Sequence, residues 1–321
     1  MTKSIPISCL FMIAISTSGS LKASENTIKC DGQTDDTKAI QYVVNNYKNV
    51  LIPEGKCIVT KSITLSNKVN IYSLSANNTQ IIQTGSPPEA NSLFTLTANA
   101  SGSTIKNITL QGMSLTKEMT EHQHLIKLLG VSNISLERII FKEFRGDGIY
   151  IGKKDNAINE NISITQNTFD GVNHNNRNAI SIISGKSIKI IDNKFINTTK
   201  ENMPGAIDLE PNDHKDKIED IIITKNNFYN IGGYSAISIY FSKKASVTPS
   251  NYTITQNNIE VQGNTKSIAF RDIRKLKTPQ EWDKLSIYDN NLSSQNNDSI
   301  HISGIKYSKL NVNLQSGNDK R

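Results

Sequence analysis

The stretch NISITQNTFDGVNHNNRNAISI, residues 161–182, is followed by SIKIIDNKF at 187–195 and AIDLE at 206–210. Both passages contain the same features in the same order: a strand in which isoleucine alternates with other residues, an Asn, a Phe two residues later, a polar loop and a shorter Ala-Ile strand. Alternation places the isoleucines on one face of a strand and the intervening residues on the other. The stretch therefore predicts a repeating β structure with one such passage per unit.

The same passage recurs along most of the chain at intervals of 25 to 33 residues. Its copies begin at Asn107, Asn133, Asn161, Ser187, Asp220, Asn251, Lys284 and Lys309. Units of this length with short strands predict a solenoid, in which each unit buries its apolar side against its neighbours. A β-sandwich would have hairpin turns at shorter spacing, so the pattern favours a parallel β-helix.

Two positions of the passage keep their residue type from unit to unit. The seventh position holds Asn167, Asn193, Asn226, Asn257 and Asn290. Asn tolerates left-handed backbone angles and its amide can bond the coils on both sides, so we expect these residues to stack at one corner. Two places later the residue is Phe or Leu, as at Phe169, Phe195, Phe228 and Leu292, and we expect these side chains to stack inside the solenoid.

The N-terminal residues 1–23 have the features of a secretory signal peptide: an early Lys3, an apolar run, and small residues ending at Ala23. Removing them leaves residues 24–321 as a single β-helix domain, which we expect to be secreted or periplasmic in a bacterium. No later apolar run predicts a membrane span. Cys30 and Cys57 remain, and an oxidising compartment favours a disulfide between them that stabilises the fold by about 3–4 kcal/mol.

The segment CDGQTDDTKAIQYVVNNY at 30–47 predicts an amphipathic helix over about residues 35–47. Thr34 or Asp35 is the expected N-cap, with acidic residues in the first turn. The apolar face consists of Ala39, Ile40, Val43, Val44 and Tyr47. A helix laid across the end of a solenoid covers exposed core and unpaired strand edges, and the coils then occupy about residues 50–315.

The opening DGQTDDTKAIQ at 31–41, followed by a strand and the Ile-Pro-Glu-Gly turn at 52–55, resembles the start of the pectate-lyase-like superfamily. That resemblance implies an all-β fold, a single-stranded right-handed parallel β-helix with an N-terminal capping helix. The superfamily includes polysaccharide lyases, polygalacturonase-type hydrolases, alginate epimerases and tailspike depolymerases, so it implies action on a polysaccharide. It does not select the reaction, because different activities occur on one fold.

The motifs that would select a reaction are missing. The GDG at 146–148 is not the paired-aspartate motif of polygalacturonases, and no aspartate cluster resembles the calcium site of pectate lyases. His122 and His124 lack a third ligand nearby in sequence, so we expect no metal and no cofactor. Trp282 lies in an insertion between two coils and is interpreted as a packing anchor.

The candidate site follows from the alternation in the shorter strands. With Ile149, Ile180, Ile207 and Ile237 inward, the outward column reads Tyr150, Ser181, Asp208, Ser238, Ala269 and His301. Asp208 and Glu210 share this outward face, with α-carbons about 6.6 Å apart on an extended strand. Repulsion between two such carboxylates separates their pKa values, which suits a pair that divides acid and base or nucleophile roles. The alternative is that both are ordinary solvated surface acids.

The other candidates come from the same strands and the loops that enter them: Asp147, Tyr150, His174, Arg177, Tyr240 and Arg271. His174 is the candidate to move a proton near neutral pH, and Arg177 to pair with a sugar carboxylate in a forked geometry. Asp147, Arg271 and the two tyrosines are candidates to bind substrate.

The charge balance indicates the class of partner. The formal net charge is +7, and removal of Lys3 and Lys22 with the signal peptide lowers it to +5. A basic surface attracts anionic polymers, and without an aromatic–basic platform or phosphate loop we do not expect nucleic acid. The leading hypothesis is therefore a secreted hydrolase or lyase acting on an acidic polysaccharide. A uronate C5-epimerase and a non-catalytic glycan-binding surface protein are the alternatives.

Overall fold

The computed structural model describes residues 27–240, 250–271, 285–293, 300–302 and 313–314. The predicted signal peptide, the insertion that holds Trp282, and the charged C-terminal tail lie outside the described residues. None of the helices in the described ranges has the length and apolarity needed to cross a bilayer.

The described residues contain one α-helix, α1 (Thr37–Asn46), one 3-10 turn (Ala98–Ala100) and short strands along the whole length. The strands are β1 (Asp31–Asp35), β2 (Asn49–Leu51), β3 (Gly55–Val59), β4 (Ile63–Leu65), β5 (Asn70–Tyr72), β6 (Thr79–Gln83), β7 (Ser92–Thr97), β8 (Thr104–Lys106), β9 (Thr109–Gln111), β10 (His124–Leu129), β11 (Ser132–Glu137), β12 (Ile140–Lys142), β13 (Ile149–Ile151), β14 (Asn159–Thr165), β15 (Thr168–Asp170), β16 (Ile180–Ile182), β17 (Gly185–Ile191), β18 (Lys194–Ile196), β19 (Gly205–Leu209), β20 (Ile218–Thr224), β21 (Asn227–Ile231), β22 (Ser235–Tyr240), β23 (Ser250–Thr255), β24 (Asn258–Val261), β25 (Lys266–Arg271), β26 (Leu285–Tyr288), β27 (Asn291–Ser293), β28 (Ile300–Ile302) and β29 (Asn313–Leu314).

These strands form three parallel sheets that run the length of a solenoid. The first sheet has ten strands in the order β2-β5-β8-β11-β14-β17-β20-β23-β26-β29, and the second has ten in the order β1-β3-β6-β9-β12-β15-β18-β21-β24-β27. The third has nine, in the order β28-β25-β22-β19-β16-β13-β10-β7-β4. Each coil passes through the first, second and third sheet in turn, as β14, β15 and β16 do. The predicted parallel β-helix is confirmed.

The coil contains three strands, where the sequence pattern predicted two. The additional strand holds the recurring Phe, and at three residues in β15 and β18 it is too short to show alternation. Its Phe side chains stack as predicted: Phe141, Phe169, Phe195 and Phe228 form a continuous series with ring centroids 4.5, 4.9 and 4.5 Å apart. All four are buried inside the solenoid with the isoleucines of the other two sheets.

The predicted Asn ladder occupies the corner between the first and second sheets. In each step an Asn side-chain oxygen accepts the backbone N–H and the side-chain N–H of the preceding ladder residue, at 2.9 to 3.0 Å. The left-handed backbone angle falls one residue earlier than expected, at Gln166, Asp192, Lys225, Gln256 and Asp289. The residue with this angle turns the chain at the corner. The buried Asn that follows it can therefore align its amide along the solenoid axis.

Helix α1 packs against β4, the edge strand of the third sheet. Gln41 accepts the N–H of Thr64 at 2.8 Å and donates to its carbonyl at 2.9 Å, so the helix satisfies backbone groups of that edge. Ala39, Ile40 and Val44 are buried, but Tyr47 is 55% exposed, so its assignment to the apolar face was wrong. The expected acidic first turn is also wrong, because Asp35 and Asp36 precede the helix.

A disulfide joins Cys30 to Cys57, across a sequence separation of 27. It links the segment before the helix to β3 in the first coil. Breaking it in a Cys30→Ser/Cys57→Ser variant is expected to lower the free energy of unfolding by about 3–4 kcal/mol, because the unfolded chain regains the entropy of the open loop. Urea unfolding followed by circular dichroism measures this, and a loss below about 1 kcal/mol would contradict it.

Candidate functional site

The polar column predicted from the sequence lies on the outward face of the third sheet. Strand pairing places Tyr150 beside Ser181, Ser181 beside Asp208, and Asp208 beside Ser238. The column continues through Ala269 to His301. The intervening isoleucines of these strands are buried in the core, as the alternation requires.

The outward face of this sheet is covered at its centre, unlike that of the first sheet. Ser181, Asp208 and Ser238 are completely buried, whereas outward residues of β14 and β17 are partly or fully exposed. The alternative that Asp208 is an ordinary solvated surface acid is therefore wrong, because other side chains cover the column at this position. Long side chains from neighbouring positions lie over the column, among them Arg177, which contacts Ser181, and Arg271, which contacts Ser238.

Asp208 lies at the middle of this covered column. Both of its carboxylate oxygens are buried without a partner in normal hydrogen-bond geometry among the described residues. Burial raises the pKa of Asp208 well above its usual value, and the neighbouring Glu210 carboxyl raises it further. The positive charges of Arg177 and Arg271 oppose this effect without cancelling it.

Glu210 is the accessible member of the pair. Its side chain is 20% exposed, and its Oε2 lies 3.6 Å from Nη2 of Arg177. Asp208, whose pKa is raised, precedes Glu210 by two residues on the same outward face. Two acids of different accessibility therefore lie side by side at the end of one strand.

Arg177 is fixed by a buried network that spans neighbouring coils. Its Nη1 donates to both oxygens of Asp147, at 3.1 and 3.2 Å, and to Oγ of Ser181 at 2.9 Å. Asp147 is completely buried and also accepts the Asn178 N–H at 3.2 Å. Burial alone would raise the pKa of Asp147, but its bond to His124 and the charge of Arg177 hold that pKa below its ordinary value. Asp147 thus positions Arg177 and is not accessible to bind substrate directly.

His124 belongs to this network, whereas from the sequence it was considered only as a metal ligand. Its Nδ1 lies 3.3 Å from Oδ2 of Asp147 and 3.2 Å from the backbone N of Asp147. Its ring stacks on Tyr150 with centroids 4.7 Å apart. Burial is the largest effect that raises the pKa of Tyr150, followed by the Asp147 charge. Strand register would have located His124, because pairing of Ile126 with Ile149 places His124 beside Asp147.

A second ion-pair group closes the other side of the column. Lys153, in the turn after β13, contacts Asp213 at 2.7 Å and Asp216 at 2.6 Å. Both acids lie in the turn after β19, two coils further along, and Asp216 is buried. These ion pairs join the coil of Tyr150 to that of Asp208.

The remaining predicted residues lie further along the sheet. Arg271 has its guanidinium carbon 5.1 Å from the centroid of the Tyr240 ring, so these two form one group. His174 lies in the turn before β16, and its Nε2 donates to the Asn230 carbonyl at 2.8 Å. Its contacts place it at the corner between the second and third sheets, and none of its described hydrogen bonds reaches Asp208 or Glu210.

The raised pKa of Asp208 predicts a pH-dependent stability. Between the usual pKa of an unfolded aspartate, about 4, and the higher folded value, only the native state binds this proton, so stability falls as the pH rises. Asp208→Asn mimics the protonated acid. The difference in free energy of unfolding between Asp208→Asn and the parent, taken as variant minus parent, is therefore expected to be larger at about pH 8 than at about pH 4.

Urea unfolding at the two pH values measures this difference. Asp155→Asn, at an exposed position outside the network, is the matched control and should show no such change. An equal effect of Asp208→Asn at both pH values would contradict the raised pKa.

Within the described ranges, one group of three side chains has the spacing of metal ligands: Cys30, Asp36 and Cys57. Its two sulfur atoms form the disulfide, and Asp36 accepts the backbone N–H groups of Lys29 and Cys30 at 2.7 and 3.0 Å. This group is therefore a structural element at the start of the solenoid.

Several solved structures share this fold. An iota-carrageenase complexed to iota-carrageenan fragments is 14% identical with a TM-score of 0.54, and the match covers 81% of this chain and 60% of that one. The N-terminal fragment of gene product 12 of bacteriophage Phi29 is 16% identical with a TM-score of 0.64, covering 85% and 47%. The Streptococcus pneumoniae surface protein and adhesin PfbA is 14% identical with a TM-score of 0.54, covering 89% and 86%. At such identities the likeness shows the fold alone.

The chain thus spans well under two thirds of the first two of these structures. No curated protein matches the sequence. The family described as the right-handed β-helix region matches residues 95–273, which is more than half of the chain and includes the central column of the third sheet. By this match and by its three parallel sheets, the chain belongs to the right-handed β-helix family.

Proposed function

We propose that this protein is a polysaccharide-cleaving enzyme whose substrate lies along the outward face of the third sheet. The observation that carries the proposal is the pairing of a completely buried Asp208, whose pKa is raised well above its usual value, with an accessible Glu210 beneath Arg177. A buried acid whose pKa is strongly raised is costly to the fold, and such groups concentrate at functional sites. Carbohydrate is the proposed substrate class because a structure that shares the fold is an iota-carrageenase complexed to iota-carrageenan fragments.

Glu210 is the member of the acid pair that reaches the substrate, and Asp208 is the buried partner that supplies or receives a proton behind it. In hydrolysis Glu210 protonates the leaving glycosidic oxygen as its bond to the anomeric carbon breaks, a water molecule adds to that carbon, and the proton that the water loses returns to the acid pair. In β-elimination Glu210 takes the C5 proton next to a uronate carboxylate, the C4–C5 double bond forms, the C4–O bond breaks, and the acid pair returns a proton to the leaving oxygen. In C5-epimerisation Glu210 takes the same proton, water supplies a proton to C5 from the opposite face, and the proton on Glu210 passes to solvent.

Arg177, Tyr240 and Arg271 are proposed to bind the sugars. Arg177 and Arg271 flank the acid pair, and both lower the pKa of Asp208 through their charge. Two cations at the site favour a polymer that carries carboxylate or sulfate groups. We place the enzyme outside the cytoplasm, in agreement with the Cys30–Cys57 disulfide.

A non-catalytic glycan-binding protein is the second candidate, and the burial of Asp147, the ion-pair partner of Arg177, favours it. On this alternative the network of Arg177, Asp147 and Ser181 supports a rigid binding face, and no bond is cleaved. The fold also occurs in an adhesin.

The purified protein is incubated with a panel of uronate-containing, sulfated and neutral polysaccharides. New reducing ends without ultraviolet absorbance indicate hydrolysis, and new reducing ends with the absorbance of an unsaturated uronate indicate elimination. Exchange of the C5 proton with solvent without new ends indicates epimerisation. Binding of a polymer without any of these changes supports the binding protein and overturns the enzyme.

A further inference from the structure

A cavity of about 880 Å³ lies at the corner between the second and third sheets, beside the covered column. We call it the corner pocket; its wall includes His174, Glu201, Gly233, Tyr234, Lys266 and Arg271. It arises from a change in turn length. The turn between β18 and β19 spans residues 197–204, whereas the next two span only 232–234 and 262–265. The long turn stands above the two short ones and leaves a recess.

Two glycines let the short turn pack closely against the long one at the edge of this pocket. Gly233 has a φ of +74°, and a Cβ added there would lie 2.5 Å from Cγ2 of Thr199. A Cβ on Gly232 would lie 2.4 Å from the carbonyl oxygen of Thr199. Any larger residue at either position would clash with the long turn, so the close approach of the two turns requires glycine.

The wall of the pocket has an aromatic face and a guanidinium. Tyr234 is 38% exposed, and the guanidinium carbon of Arg271 lies 5.7 Å from its ring centroid. The same guanidinium is 5.1 Å from the Tyr240 ring and donates from Nη1 to Ser238 Oγ at 3.4 Å. Arg271 therefore lies between tyrosines at the two ends of β22. These two ring contacts hold the guanidinium beside the pocket, and a guanidinium presents N–H donors in a fork that suits an anion.

The charges around the pocket favour an anionic ligand. Lys266 and Arg271 contribute positive charge, and Glu201 is the one carboxylate in the described wall. An exposed tyrosine beside cations is suited to a sugar ring that bears an acidic group. Arg271 also connects the pocket to the acid pair, because Ser238, which it contacts, is paired with Asp208 in the next coil.

We propose that the corner pocket binds a carboxylate- or sulfate-bearing sugar unit of the polysaccharide, with the ring against Tyr234 and the acidic group on Arg271. This rests on the proposed function, since the ligand is another part of the same polymer that lies at Glu210. The pocket then selects anionic polymers, and neutral ones lack the group that Arg271 recognises.

Binding is measured by titration calorimetry in a Glu210→Gln background, with three oligosaccharide sets that carry uronate, sulfate or no charge. Arg271→Gln is expected to weaken binding of the preferred anionic set by about tenfold or more, and that of the neutral set by less than about twofold. Tyr234→Ala should weaken binding of charged and neutral sets alike, by about fivefold. Lys200→Gln, an exposed cation of the same long turn but outside the pocket wall, is the matched control and should change neither.

The uronate and sulfate arms identify which acidic group the pocket takes. Three results would each contradict the proposal that the corner pocket binds an anionic sugar unit. They are equal binding of neutral and anionic sets by the parent, no binding of anionic sets, and an Arg271→Gln effect no larger than that of Lys200→Gln. Failure of the proposed function is a separate result, because it appears as the absence of cleavage by the parent in the polysaccharide panel.

Discussion

Replacing Glu210 with glutamine is expected to lower kcat/KM for the cleaved polysaccharide by about a thousandfold, because the accessible member of the acid pair then exchanges no proton. Gln keeps the size of Glu and can still accept a bond from Arg177. The fold should therefore survive, since the Glu210 side chain is 20% exposed and its one ion pair has a length of 3.6 Å. Initial rates at several substrate concentrations separate the effect on kcat from that on KM.

Glu160→Gln is the matched control for this prediction. Glu160 is an exposed acid on the first sheet, so its replacement changes the net charge equally at a position away from the column. Its kcat/KM should stay within about twofold of the parent value. A Glu210→Gln protein that cleaves as fast as the Glu160→Gln protein would remove Glu210 from the reaction and with it the proposed role of the acid pair.

The largest loss of stability is expected from Asn226→Ala, at about 3–5 kcal/mol of unfolding free energy. The Asn226 side chain accepts the backbone N–H and the side-chain N–H of Asn193, at 2.9 and 3.0 Å. It donates to the Ile190 carbonyl at 2.9 Å and to Oδ1 of Asn257 at 3.0 Å. Alanine removes all four bonds in a buried site, so several polar groups of the neighbouring coils lose a partner without gaining water.

Asn227→Ala provides a control one residue away. Asn227 is exposed at the start of β21, and the bond of its backbone N–H to the Asn193 carbonyl is unaffected by the change. Its effect should stay within about 0.5 kcal/mol. Urea unfolding followed by circular dichroism compares the two, and similar midpoints would show that the ladder adds little to stability.

The solenoid was predictable because its cause is local and repeated. Alternating apolar residues recur in eight copies, and in five of them an Asn occupies the same position of the coil, followed two residues later by Phe, Ile or Leu. The short strand that carries Phe169 was not predictable as a strand, because three residues are too few to show the two-residue alternation of a β-strand. The exposure of Tyr47 was missed because it lies beyond the last helical residue, where helical periodicity no longer applies.

The residues that share the outward column of the candidate site were predictable from the sequence, but the side chains that cover this column were not. Strand register alone places Asp208 between Ser181 and Ser238. Its complete burial depends on where long side chains such as Arg177 and Arg271 extend, and that follows from their partners in other coils. The bond between His124 and Asp147 shows the same limit, because the stretch EHQHL that contains His124 carries none of the recurring motifs.

Turn length at the corner between the second and third sheets varies from three residues at 232–234 to nine at 171–179 and twelve at 112–123. The Phe stack of the second sheet and the Asn ladder at the corner between the first and second sheets continue across the coils whose turns have three and nine residues. Insertions and deletions at this corner therefore need not disturb folding. A protein built this way can acquire a different ligand preference by exchanging one turn.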